Sequence, residues 1–130
     1  MDRIIFGSHQ LPTLVALTEE EQRIGLMKRN WPPPIMTFPY ATAEVRKFWM
    51  KNTISPLDIV FCRAGLVISI VDGKPLSLNH VGPDEPSDLI VELPKGTAEN
   101  LGIVRGTKTR LVYGLFTLAK KYEIQLSKKC

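Results

Sequence analysis

The sequence predicts a mainly β fold, a compact antiparallel β-barrel-like domain with one or two short peripheral helices. Apolar and β-branched runs of strand length recur along the chain, and turn-prone residues separate them. Two of these runs are joined by a connection that ends in glycine, as in a hairpin, and one segment has a strong helix signature. From residue 45 onward, the predicted strands are 45–51, 57–62, 66–71, 89–93 and 110–115.

The clearest hairpin joins 57–62 to 66–71. Arg63-Ala64-Gly65 connects the two runs, and a glycine at the last loop position can adopt the left-handed conformation of such turns. We therefore expect antiparallel pairing there. Two shorter strands, 3–6 and 14–17, are predicted before it, and the stretch 72–88, rich in Pro and Gly, predicts a long loop.

The strongest helix signal begins at Thr18. Thr18 and Glu21 have the spacing of a capping box, in which each side chain accepts a hydrogen bond from a backbone N–H at the start of the helix. The pattern predicts a helix from Thr18 to about residue 28 or 29, and three prolines at 32–34 cannot continue it. A single helical turn at 98–101, stopped by Gly102, is the second predicted helix.

Length and composition indicate one ordered domain over residues 1–130. Hydrophobic residues make up 44% of the chain and charged residues 23%, which is close to the globular average. No apolar stretch approaches the roughly 20 residues that a membrane-spanning helix needs, and the first residues lack the apolar region of a secretory signal. We therefore expect no membrane insertion and a cytoplasmic location.

Residues that could hold a metal or a disulfide are sparse. Cys62 and Cys130 match no disulfide framework or zinc spacing and are expected to be free thiols, and His9 and His80 lie in different predicted loops. No metal site and no cofactor are predicted. Phosphate-binding glycine loops and nucleophile elbows are also missing from the sequence, so no catalytic residue is assigned and an enzyme is the less favoured class.

The formal charge of +4 arises at the carboxyl end of the chain. Residues 116–130 form a predicted basic tail that could contact phosphates, although a short solvated lysine run is more often a solubility feature. Nucleic-acid binding is therefore a weak alternative. The basic residues that it would use are Arg3, Arg105, Lys108, Arg110 and the tail lysines 120, 121, 128 and 129.

Polar residues in and beyond the predicted strand 45–51 supply a candidate ligand site. Asp58 lies in an apolar run and must be paired if it is buried, with Lys51, Arg29 or Arg46 as possible partners. A structural role for Asp58 and a polar pocket that it shares with Asn52 both remain open. The candidate ligand-binding residues are Arg29, Trp49, Lys51, Asn52, Asp58 and Glu92.

The run Phe48-Trp49-Met50-Lys51-Asn52-Thr53, followed by Pro56-Leu57-Asp58, resembles the hallmark of the domain-of-unknown-function 192 family. Gly25-Leu26-Met27-Lys28-Arg29 is similar to the family's G-L-M-x-R element, and Val91-Glu92-Leu93-Pro94 is similar to its V-L-E-L element. The similar region covers about 15–111, most of the chain. The resemblance implies a compact β-rich barrel with peripheral helices, but no activity, because the family has no established biochemical role.

The favoured interpretation is a small binding module with a polar pocket at one rim of the barrel, near 48–53. Its partner would be an unknown small molecule, a glycan or a peptide. One alternative is a hydrolase that uses Asp58 and Glu92 as an acid and base pair, which requires both carboxyls in one cleft. Another is a partner-binding protein that docks through the exposed Trp31-Pro32-Pro33-Pro34 segment.

Overall fold

The computed structural model describes residues 1–128, which form eight strands and three helices. Two predicted features, the free thiol of Cys130 and the tail lysine Lys129, lie outside this range. The strands are β1 (Arg3–Phe6), β2 (His9–Pro12), β3 (Leu14–Val15), β4 (Met36–Glu44), β5 (Leu57–Arg63), β6 (Leu66–Gly73), β7 (Ser87–Pro94) and β8 (Thr109–Val112). The helices are α1 (Glu19–Ile24), α2 (Thr97–Asn100) and α3 (Leu115–Ser127).

The strands form two sheets. The smaller has the order β2-β1-β8 and the larger has the order β3-β4-β7-β5-β6. Every pair of strands is antiparallel except the short parallel pair β3 and β4. The predicted hairpin forms between β5 and β6, with Ala64 and Gly65 at φ values of 51° and 78°. The mainly β prediction is confirmed, although the described strands do not close into a barrel.

The larger sheet separates two hydrophobic cores, because successive side chains of a strand point to opposite faces. We call the two sides the covered face and the cleft face. The covered face carries Val60, Cys62, Val91 and Leu93, which pack with Ile4 and Phe6 of the smaller sheet and with Ala98 of α2. The cleft face carries Met36, Phe38, Ile59, Phe61 and Ile90, which pack with Leu26 and Met50. The thiol of Cys62 is free and buried, and burial raises its pKa to about 12.

Helix α1 begins as the sequence predicts and ends earlier. The Thr18 side chain accepts a hydrogen bond from the Glu21 N–H at 3.0 Å, and Glu21 Oε1 accepts one from the Thr18 N–H at 3.0 Å. This reciprocal pair is a capping box. The helix ends at Ile24 because Gly25 adopts a φ of 51°, a left-handed value that glycine reaches at little cost.

The predicted strand 45–51 is wrong. Only one isolated bridge, between Phe48 and Val81, pairs this segment with another part of the described chain. Met50 is buried in the core, whereas Trp49 and Lys51 are exposed. The segment therefore runs over the sheet as an irregular connection, and β4, which the sequence patterns did not predict, supplies the sheet strand before it.

The predicted basic tail forms most of helix α3, which adds a third helix to the one or two expected. Asp2 holds the start of this helix, since its carboxylate accepts hydrogen bonds from the Gly114 N–H and the Thr117 hydroxyl at 2.7 and 2.6 Å. The side chains of Leu115 and Phe116 are both 87% exposed. None of the helices in residues 1–128 combines the length and the apolar character needed to cross a bilayer.

Candidate functional site

A cleft of about 370 Å³ opens on the cleft face of the larger sheet. Its walls are α1 with the turn that follows it, the segment 47–53, and the neighbouring strands β4 and β7. This volume lies within the range of ~300–1,000 Å³ that is usual for small-molecule sites. The cleft is lined by Glu19, Gln22, Arg23, Ile24, Met27, Phe38, Tyr40, Lys47, Phe48, Trp49, Lys51, Thr53 and Glu92.

Glu92 places a carboxyl group in an apolar part of this cleft. It is only 5% exposed, and its direct neighbours across the sheet are Met36 on β4 and Ile59 on β5. No hydrogen bond or ion pair joins its carboxyl to any residue of the described chain, 1–128. Burial raises the pKa of Glu92 to about 8, so the carboxyl is mostly protonated at neutral pH.

The Glu92 carboxyl is nevertheless accessible from the cleft. Glu92 is one of the residues that line the cleft. Among the described residues, only the side-chain oxygens of Ser87 and Thr109 lack both solvent contact and a hydrogen-bond partner. The Glu92 carboxyl, which also lacks a partner among these residues, therefore keeps some contact with solvent. Gly25 leaves room beside it, since a Cβ added at Gly25 would lie 3.5 Å from Glu92 Oε1 and from Phe38 Cζ. A small ligand can therefore reach this carboxyl.

Aromatic rings form much of the remaining wall. Phe48 packs edge to face against Phe38, with ring centroids 5.1 Å apart, and Trp49 lies beside His80 at 5.2 Å. Tyr40 is covered by the Arg46 guanidinium at 3.4 Å, and the pKa of Tyr40 is raised, chiefly by burial. These rings offer flat apolar surfaces next to the Glu92 carboxyl.

Three basic residues, Arg23, Lys47 and Lys51, line the cleft. Arg23 pairs with Glu20, and Lys47 pairs with Asp84 at 2.9 Å, so both charges are balanced by acids outside the cleft lining. Lys51 has no ion pair within residues 1–128, and its Nζ lies 5.1 Å from the centre of the Trp49 ring. Lys51 is therefore the basic group that is most available to a ligand.

Asp58 lies on the other face of the sheet and does not reach the cleft. It pairs with Leu93 across β5 and β7, whereas Glu92 pairs with Ile59, so the two acids occupy consecutive register positions and point to opposite faces. Asp58 Oδ2 accepts hydrogen bonds from the Gly96 and Ala98 N–H groups, each at 3.0 Å. This carboxylate anchors the start of α2. The structure thus contradicts both a pocket shared by Asn52 and Asp58 and the acid and base pair of Asp58 and Glu92.

The expected side-chain partners of Asp58 are also wrong. The partners of Asp58 are Lys95, whose Nζ lies 3.7 Å from Oδ1, and the two backbone N–H groups at the start of α2. Lys51, Arg29 and Arg46 do not pair with it. A sequence pattern cannot identify backbone donors that approach from a helix about 40 residues further along the chain.

Asn52 and Arg29 stand next to the cleft but do not line it. Asn52 adopts a φ of 57°, a left-handed conformation that asparagine tolerates, and its carbonyl accepts a hydrogen bond from the Lys28 N–H at 2.8 Å. The Arg29 carbonyl accepts one from the Ser55 hydroxyl at 2.9 Å. These contacts fasten the turn after α1 to residues 52 and 55.

Three of the six predicted ligand-binding residues, Trp49, Lys51 and Glu92, therefore meet in one cleft, and Arg29, Asn52 and Asp58 do not join them. The sequence interpretation missed Phe38 and Tyr40. Apolar residues at 36, 38 and 40 alternate as in a strand, but Pro39 interrupts the run and obscured this signal. Within residues 1–128, no group of three or more His, Cys, Asp or Glu residues is placed to hold a metal ion.

The chain belongs to the domain-of-unknown-function 192 family, described as "Uncharacterized ACR", whose model matches residues 4–111. It is similar to a solved protein of unknown function from Novosphingobium aromaticivorans DSM 12444, with 28% identity, a TM-score of 0.77 and coverage of 83% of each chain. It is also similar to a protein described as a "putative transcription regulator" from Sinorhizobium meliloti 1021. That pair has 28% identity, a TM-score of 0.78 and coverage of 84% of this chain and 92% of the other. No curated protein matches the chain.

Proposed function

We propose that this protein is a small binding module that holds a small polar molecule in the cleft between α1, the segment 47–53 and the sheet. The observation that carries the proposal is the Glu92 carboxyl, which is buried in an apolar wall, open to the cleft and without a hydrogen-bond or ion-pair partner within residues 1–128. A buried polar group without a hydrogen bond costs roughly 1–3 kcal/mol. A ligand that bonds to this carboxyl would offset that cost.

The arrangement of the family-like sequence elements supports the same site. Gly25 from the segment similar to G-L-M-x-R lies beside Glu92 from the segment similar to V-L-E-L, and Phe48, Trp49 and Lys51 come from the hallmark run. These elements are far apart in the sequence, and all three border one cleft. A small polar molecule fits the cleft better than a long peptide, because the volume of the cleft is about 370 Å³.

The basic surface gives less support to nucleic-acid binding. Arg105 forms two hydrogen bonds with Glu85, at 3.0 and 3.1 Å, and Lys120 pairs with Glu21 at 2.8 Å. Phosphate binding would have to compete with these ion pairs. A steep loss of binding to single-stranded DNA with rising salt is the result that would favour it instead.

The two tryptophans allow a direct test of the cleft. Trp49 lines it, whereas Trp31 is exposed and does not, so the two indole N–H signals in a nitrogen-15 NMR spectrum provide a site signal and an internal reference. The probes are benzamide, benzylamine, benzoate and N-acetylglucosamine at millimolar concentration. We expect at least one probe to shift the Trp49 signal and leave the Trp31 signal in place.

Two variants test whether the shift of the Trp49 signal depends on Glu92. The shift should disappear in Glu92→Ala and persist in Glu99→Gln, which changes an exposed acid of α2 outside the cleft lining. The proposal is overturned if none of the four probes moves the Trp49 signal, or if the shift is the same in Glu92→Ala as in the natural chain.

A further inference from the structure

The Glu92 carboxyl can meet a ligand in one of two ways. As a carboxylate it would pair with a cationic group, and as a neutral acid it would form hydrogen bonds with a neutral group. The two states select different ligands. The choice depends on the charges that face the carboxyl from the surrounding elements.

Those charges do not favour an entering cation. Helix α1 contributes Glu19 and Arg23 to the cleft, β4 contributes Tyr40, and the segment 47–53 contributes Lys47 and Lys51. Arg23 is paired with Glu20 and Lys47 with Asp84. Lys51, which has no ion pair with a described residue, is offset in net charge by the one exposed acid of the lining, Glu19. The lining therefore has no excess of negative charge that would draw a cationic ligand into the cleft.

The neutral carboxyl has a definite recognition pattern. It carries one O–H donor and one carbonyl acceptor on the same group. A primary or cyclic amide presents a carbonyl acceptor and an N–H donor along one edge, so the two groups can form a pair of hydrogen bonds. Simple alcohols, ethers and carboxylates do not match this pattern as completely.

The aromatic wall adds a requirement for shape. Phe48 and Phe38 stand edge to face at 5.1 Å, and Trp49 and Tyr40 line the same space. Flat groups pack well against such rings, by stacking or by edge contacts, and a ring next to the amide edge would fill the cleft beyond Glu92.

We propose that the ligand of this cleft is a flat, uncharged molecule with an amide-type edge, and that Glu92 binds this edge as a neutral carboxyl through one donated and one accepted hydrogen bond. This inference rests on the proposed function and narrows it to a ligand class. Nicotinamide-like and lactam-containing rings have this chemistry. Burial keeps the carboxyl neutral at pH 7, because it raises the pKa of Glu92 to about 8.

The experiment compares benzamide, benzylamine and benzoate, which share one ring and differ in the charge and donor pattern of the attached group. Affinities for the full chain are measured from the Trp49 signal at pH 7 and pH 9. Benzamide should bind at least about tenfold more tightly than the other two at pH 7. Its affinity should fall about tenfold at pH 9, because only about a tenth of Glu92 then remains protonated.

The variant Glu92→Gln separates the two states of the acid. The glutamine amide keeps a donor and an acceptor but cannot ionise, so benzamide should bind within about threefold of the natural affinity and with no loss at pH 9. Glu92→Ala should lose at least about tenfold in affinity, and circular dichroism checks that it folds.

The outcomes distinguish the inference from the proposed function. If benzylamine binds best and Glu92→Gln abolishes its binding, the cleft recognises a cation, so the inference fails while the binding module stands. Preferred binding of benzoate also overturns the inference and points to Lys51. If no probe acts through Glu92, both proposals fail.

Discussion

The two faces of the larger sheet contain one buried acid each, and the two acids have opposite surroundings. Asp58 on the covered face is 6% exposed and accepts two backbone hydrogen bonds from the start of α2. Glu92 on the cleft face is 5% exposed and has no hydrogen-bond partner within the described residues. The two acids are therefore almost equally buried, but they differ in the number of hydrogen bonds that their carboxyl groups form with the described residues.

This difference separates a structural acid from a candidate binding acid. Asp58 Oδ2, which faces α2, already accepts two hydrogen bonds. A ligand would have to displace these backbone N–H groups to bind to it. Glu92 has unused capacity, and the cleft gives access to it. The comparison predicts that changes at Asp58 act on stability, whereas changes at Glu92 act on pH response and binding.

The largest expected effect is a change in how stability depends on pH. The pKa of Glu92 is about 8 when folded, against a usual value of 4.5, so the folded state holds its proton more strongly than the unfolded state. The stabilising contribution is complete below pH 4.5 and is lost as the pH rises from 4.5 through 8. Across this pH range, the pKa shift corresponds to a decrease in the free energy of unfolding on the order of 5 kcal/mol.

Glu92→Gln should remove this dependence. Urea unfolding at pH 5, 7 and 9 should show the natural chain losing stability more steeply than the variant, and the variant should be the more stable of the two at pH 9. Glu99→Gln serves as the matched control and should follow the natural chain. Parallel curves for the natural chain and Glu92→Gln would show that Glu92 is not buried as described.

The next largest expected effect is a loss of stability when Asp58, the structural acid, is replaced. Asp58→Ala leaves the Gly96 and Ala98 N–H groups without their acceptor, which should lower the free energy of unfolding by about 2–3 kcal/mol. Urea unfolding at pH 7 measures this change. Asp84→Ala, which removes a fully exposed carboxylate, should cause little change.

Binding should distinguish Asp58 from Glu92. Under conditions where Asp58→Ala is folded, its affinity for benzamide should match that of the natural chain. A loss of affinity comparable to that of Glu92→Ala would mean that the two faces are coupled, and the comparison between the faces would then fail.

The smallest expected effect is a change in ligand affinity when the space beside Glu92 is partly filled. Gly25→Ala places a methyl group 3.5 Å from Glu92 Oε1 and should weaken benzamide binding several-fold. Gly102→Ala is the matched control, because Gly102 also has a positive φ, 68°, and has no atom near its added Cβ. Both variants should lose stability, by about 1–2 kcal/mol at Gly102 because of its positive φ, and on the order of 1–3 kcal/mol at Gly25, whose φ of 51° and ψ of −128° lie outside the left-handed helical region. Equal binding by both variants would show that Gly25 does not shape the cleft.

Local patterns in the sequence predicted the elements that depend on neighbouring residues. The capping box of Thr18 and Glu21, the hairpin through Ala64 and Gly65 and the short helical turn before Gly102 are all present. Each depends on contacts within a few residues, so spacing is sufficient evidence. The wrong strand at 45–51 has apolar residues of strand type, but its backbone bonds go to distant parts of the chain rather than to a sheet neighbour.

Helix α3 shows a second limit on what local sequence patterns can predict. Its lysines suggested a solvated tail, and its helical form depends partly on Asp2, more than 100 residues away, which binds Gly114 and Thr117 at the start of the helix. Residue spacing along the sequence does not reveal such a pair.

For the site, the amino-acid sequence alone was enough to show that two acids, Asp58 and Glu92, occur in apolar strands, and that Trp49 and Lys51 belong to the same short run. The tertiary contacts show that Asp58 accepts backbone hydrogen bonds and that Glu92 has no hydrogen-bond partner within residues 1–128. Strand pairing sets the register of β5 against β7, and a shift of one residue moves a side chain to the other face. The chain segments that cover each face then decide whether a carboxyl meets backbone amides or an open cleft.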